Sequence, residues 1–78
     1  MKLEKYNKAF IEGLDISADT NVDGLKFNEI EEWDSIGHMS LMSALEDAFD
    51  ISLETDDIVD FSSYEKGKEI LKKYNIDI

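Results

Sequence analysis

Asp34-Ser35-Ile36 sets a hydroxyl between an acidic and an aliphatic residue where a loop should become a helix. Beyond it, Ile36, Met39, Met42, Leu45 and Phe49 recur at three- and four-residue steps, the period of one buried helical face. This phase puts Ser35 in the exposed first turn, where another enzyme can reach its hydroxyl. The free backbone N–H groups and the positive dipole end of the helix would favour a phosphate ester there. The chemistry expected at Ser35 is therefore covalent attachment, and the plainer alternative is an N-capping serine, since Ser and Asp both favour helix starts. His38 stands three residues on, and a nucleophile near an imidazole invites a hydrolase reading. With one His in the chain, no pattern for an oxyanion site and too little structure to enclose a substrate, His38 is instead expected to be an exposed first-turn residue.

A second constellation could hold calcium. Asp19-Thr20-Asn21-Val22-Asp23-Gly24 matches the first half of an EF-hand loop, with oxygen ligands at positions one, three and five and glycine at six. Position twelve, which should be a bidentate Glu, is Ile30, with Glu29 and Glu31 out of register, and Lys26 occupies the apolar eighth position. No metal site is assigned from this half-motif.

The elements that must position Ser35 follow from periodicity. Leu3, Tyr6, Phe10 and Leu14 space as the inner face of a first helix, with Gly13 as a plausible stop. From Asp15 to Trp33 runs a long connection in which Val22, Leu25, Phe27, Ile30 and Trp33 are spaced to pin the loop against helices. Connections of that length are usually functional or anchored. The second helix is predicted from Asp34 or Ser35 to Asp50, with Leu41, Leu45 and Phe49 on its inner stripe, Met42 beside it and Met39 partly exposed. Thr55 is expected to cap a short third helix through Asp60, with Asp56 and Asp57 complementing its dipole. Ser62 and Glu65 have the spacing of a capping box opening a last helix, with Ile70, Leu71 and Tyr74 inward and Lys72 and Lys73 at its negative end. The expected fold class is all-α, a four-helix bundle of three longer helices and one short third helix.

Composition narrows the function classes. Seventy-eight residues are expected to form one domain, residues 1–78, near the size at which a single core only just suffices. With no Cys, no disulfide framework or Cys-based metal site is possible. The amino-terminal MKLEKYNKAF has no apolar run long enough for a signal peptide or membrane span, so a cytoplasmic protein is expected. The net charge is −11, and from Phe27 to Glu65 there are twelve Asp or Glu and no Lys or Arg, while the flanks hold eight Lys and seven acids. Such a centre would repel nucleic acid and anionic membranes and attract basic partner proteins. The charge also argues for a monomer.

At these residues the chain resembles the acyl carrier proteins, whose Asp-Ser-Leu signature at the start of the second helix bears a 4′-phosphopantetheine arm. The likeness covers nearly the whole chain. Trp33 to Tyr64, WDSIGHMSLMSALEDAFDISLETDDIVDFSSY, follows the family order of serine, amphipathic helix, Phe-Asp end, acidic short helix and last helix. The resemblance implies that a phosphopantetheinyl transferase moves the arm from coenzyme A onto Ser35, and that Asp34 helps enzymes recognise the site. The carrier itself would catalyse nothing. Its acyl groups would ride as thioesters to acyl-activating, acyl-transferring or acyl-modifying enzymes with basic docking surfaces, in fatty-acid or specialised acyl metabolism. The family's docking face maps onto Ile36, Met39, Ser43, Glu46 and Asp47, with Asp56, Asp57 and Ile58 as a second contact region. Gly37-His38 departs from the acidic residue common after the signature in fatty-acid carriers, and is more like stand-alone carriers of specialised pathways. Two other classes are an unmodified acidic interaction module and a weak calcium-binding protein.

Overall fold

Helices form where the apolar spacing required them, and a computed structural model describes residues 2–78. The order is α1 (Lys2–Leu14), α2 (Ser35–Phe49), α3 (Thr55–Asp60) and α4 (Tyr64–Lys72). Among the described residues no strand occurs; a single antiparallel bridge joins Lys26 to Ser63. The chain is a small helical bundle. Its radius of gyration, 11.1 Å, is close to the roughly 11.5 Å expected of a compact chain this long, so the loop between α1 and α2 is packed rather than splayed.

Three turns carry one stop signal. Asp15, Asp50 and Asn75 hold left-handed backbone, with φ of 54°, 54° and 64°, and each is followed by an isoleucine. The isoleucine N–H reaches back to the last helical turn: Ile16 to Ile11 O at 3.1 Å, Ile51 to Glu46 O at 3.1 Å and Ile76 to Leu71 O at 3.1 Å. Asp and Asn tolerate this conformation where most residues do not, and the 6→1 bond satisfies a carbonyl that the helix end would orphan. The isoleucine that closes the turn then lies on or against the core.

This device corrects the expected stop at Gly13. That glycine is buried inside the last turn of α1, where a Cβ would stand 2.7 Å from the Leu41 Cα. It lets α1 and α2 cross closely, and Asp15 ends the helix. The other caps shift as well. Thr55 is the first residue of α3 rather than its cap; Glu54 holds the cap position without a side-chain bond. Ser63, not Ser62, caps α4, accepting from the Lys66 N–H at 3.0 Å. Tyr74 lies past the end of α4 and is half-buried.

The core is aromatic. Phe10 sits between Tyr6, Trp33 and Tyr64 at centroid distances of 5.1, 5.4 and 5.3 Å, and Leu41, Met42, Leu45, Phe61 and Leu71 complete the buried set. Leu3, expected inward, is exposed, and Phe49 is only half-buried. The Tyr6 hydroxyl donates to the Tyr64 carbonyl at 2.6 Å, which answers the cost of burying a phenol. Burial, then the charges of Tyr64 and Glu65, push the Tyr6 phenol far above its ordinary range. The long loop is stitched to the start of α4: Phe27 N–H donates to Ser62 O at 2.9 Å and Tyr64 N–H to Leu25 O at 2.8 Å. Val22, Leu25 and Trp33 are buried and Ile30 is packed against the core, as their spacing predicted, while Phe27 stays 41% exposed.

Candidate functional site

Ser35 is the first residue of α2, and its neighbour does the capping. The Asp34 carboxylate accepts from the Gly37 N–H at 2.8 Å, with Asp34 itself in extended backbone. The N-cap role that could have explained Ser35 therefore belongs to Asp34, and Ser35 is exposed.

Gly37 is what lets the loop reach this cap. A Cβ there would lie 1.8 Å from the Glu32 carbonyl oxygen, an impossible contact, so the loop backbone can pass over the first turn only because residue 37 has no side chain. The glycine that departs from the family pattern thus has a packing reason in this chain.

Along α2, Leu41, Met42, Leu45 and Met39 are placed as expected, while Ile36 leaves the buried stripe. Ile36 is 82% and Met39 55% exposed; the core face of α2 is Leu41, Met42 and Leu45. Beside Ser35 a groove of about 380 Å³ opens between α2 and α3, lined by Phe27, Ser35, His38, Met39, Ile58, Val59, Phe61 and Ser62. Its walls are mainly apolar, and its size is at the small end of ligand-binding clefts.

His38 is not the exposed residue that its position suggested. Its ring is half-buried, Nδ1 accepts from the Trp33 indole Nε1–H at 2.9 Å, and Nε2 donates to the Ile58 carbonyl at 2.7 Å. The imidazole and indole planes lie 14° apart. Both ring nitrogens are thus engaged, and neither is free to draw a proton from Ser35.

Of the residues expected to meet partners, Ser35, Met39 and Ile58 share the groove, and Ile36, Ser43 and Asp56 are exposed. Asp47 is exposed, as expected, but apart from the groove, in a depression between α1 and α2 beside Lys5 and Lys8. Two others are placed differently. Glu46 is half-buried, its carboxylate accepting from the Leu53 N–H at 2.7 Å, so it closes the α2 turn rather than facing outward. Asp57 is 6% exposed. It takes the Lys73 ammonium on one carboxylate oxygen and the Tyr74 hydroxyl on the other, so its charge is spent inside the molecule. Those bonds, Lys73's first, hold the Asp57 carboxyl below the usual carboxylate range, and the bond Lys73 donates to Asp57 raises Lys73. Burial and the bond to Asp57 raise Tyr74.

In the half EF-hand, Asn21 Oδ1 accepts from the Asp23 N–H at 3.2 Å and the Ser17 hydroxyl donates to Asp19. Among the described residues no three His, Cys, Asp or Glu side chains gather as metal ligands would. Nor is any described helix long and apolar enough to cross a membrane.

Comparison of the chain with protein-family models, curated proteins and solved structures gives no match.

Sequence reasoning missed the Trp33–His38–Ile58 link. A lone His and a lone Trp five residues apart were both visible, but across a loop-to-helix junction that spacing has no fixed geometry.

Proposed function

We propose that the chain is an acyl carrier whose Ser35 hydroxyl accepts 4′-phosphopantetheine from coenzyme A, delivered by a separate transferase. The observation that supports this best is the division of labour at the head of α2. Asp34 caps, Gly37 admits the loop, and Ser35 is left exposed at the mouth of an apolar groove. In the transfer, the Ser35 oxygen forms the new bond to phosphorus as the nucleotide part of coenzyme A leaves, and the hydroxyl proton passes to a base of the transferase, since both His38 nitrogens are engaged. The bound arm would supply a thiol on which acyl groups ride as thioesters. The chain's own part is to present Ser35, to flank it with exposed Ile36 and Met39, and to surround it with carboxylates that attract basic enzymes. No internal thiol competes, because the chain has no Cys.

A second reading is favoured by the apolar surface of Ile36, Met39 and Val59: an unmodified module that docks a basic protein. Intact mass after incubation with coenzyme A, magnesium and a broad-specificity phosphopantetheinyl transferase separates the two. The carrier gains one phosphopantetheine; the unmodified module gains none and binds its partner equally well as Ser35→Ala.

A further inference from the structure

The helix that walls the groove opposite Ser35 has one apolar anchor of its own, the half-buried Ile58, which packs against the core. Asp57 is the one buried residue of α3, Val59 is 76% exposed, and no side chain caps its amino end. A helix this short does not hold itself in place, so Ile58 and the buried flanking Leu53 and Phe61 are joined by polar contacts. On the α4 side these are the Asp57 bonds to Lys73 and Tyr74, with the Tyr74 hydroxyl also accepting from the Glu54 N–H at 3.0 Å. On the Ser35 side it is His38 Nε2 donating to the Ile58 carbonyl at 2.7 Å. Trp33, wholly buried, fixes that donor by occupying Nδ1, because a neutral imidazole with an accepting Nδ1 carries its proton on Nε2. The chain of contact runs from the core through Trp33 and His38 to the backbone of α3.

We infer that His38 is a positioning residue of the Ser35 site: through the Ile58 carbonyl it sets where α3 stands relative to Ser35, so that a phosphopantetheinyl transferase meets the first turn of α2 and α3 as one surface. The inference rests on the carrier reading. Met39 lines one side of the groove and Val59 the other, Ile36 is exposed in the first turn of α2, and the same two elements carry exposed Asp34, Asp56 and Asp60, which suits an enzyme that offers a basic surface with an apolar centre. Separating the walls would weaken recognition without touching the serine.

Two substitutions take the two bonds apart. In His38→Asn the carboxamide oxygen stands in for Nδ1 and accepts from Trp33, and Ile58 loses its donor. In His38→Gln the carboxamide nitrogen stands in for Nε2 and donates to Ile58, and Trp33 loses its acceptor. Loading by the transferase, followed by intact mass, is expected to show KM for the carrier raised about threefold to tenfold in the Asn variant, as loss of one hydrogen bond gives, with kcat kept. The Gln variant is expected to stay within about twofold of wild type, although both lose thermal stability. Amide exchange of α3 should quicken in the Asn variant alone. Equal KM in the two variants, or equal α3 exchange, would overturn the role of His38. A wild-type chain that gains no phosphopantetheine overturns the carrier reading instead, and α3 exchange then still decides whether His38 fixes the helix.

Discussion

At Gly37 two effects of opposite sign meet in one residue. Helix propensity alone makes Gly37→Ala stabilising by up to about 1 kcal/mol. The Cβ it adds would stand 1.8 Å from the Glu32 carbonyl, and forcing atoms into a packed site costs about 1–3 kcal/mol. Because the obstructing atom is backbone, close approach should win: the alanine variant is expected to melt lower, with the Asp34 cap displaced. A higher melting temperature would mean that the loop gives way freely. Ser35 itself was legible, as its exposure and helix phase both came from spacing. His38 and Asp57 were not, because a polar side chain on a predicted surface reads as solvated until its partners, Trp33, Lys73 and Tyr74, are known to fold beside it.

Among the elements, the extents of the helices and the ends of α2 and α3 were legible in the sequence, whereas the stop of α1 was not. The sequence offers Gly13 as a stop for α1, yet the chain spends that glycine on a helix crossing and closes the turns after α1, α2 and α4 with Asp15, Asp50 and Asn75. A polar residue before an isoleucine is too common a pair to announce a left-handed turn. The consequence is testable at Asp50, where φ is 54°. Asp50→Val is expected to cost about 1–2 kcal/mol, the usual penalty for a side chain held left-handed, or several degrees in Tm. Asp50→Gly, free of that penalty, should lose nothing. Equal losses in thermal melts would show that the Asp50 side chain, and not its backbone conformation, holds the turn.

For the whole molecule, stability should be bounded on both sides of pH. The Asp57 carboxyl is held low by Lys73 and Tyr74, so its contribution is present above the ordinary carboxylate value, about 3.9, and is lost as pH falls through the lower folded value. Lys73 and the phenols of Tyr6, Tyr64 and Tyr74 are all raised. Their contributions are present below about 10 and are lost as pH climbs through the raised values. Melting temperature is therefore expected to form a plateau between about pH 4 and pH 10, and Asp57→Asn should lower the plateau and flatten its acid edge. An unchanged acid edge would remove Asp57 from the folded state's electrostatics. The same molecule keeps its carboxylate excess on the segment around Ser35, and that charge, an exposed hydroxyl and an apolar groove are brought together by one loop-to-helix junction. The measurement that tests the central claim most directly is fragment mass mapping after treatment with coenzyme A and transferase. One phosphopantetheine on Ser35, absent from Ser35→Ala, is the expected result. An unmodified wild-type chain beside a control carrier that loads, or a group found on Ser40, Ser43 or Ser62 instead, would contradict it.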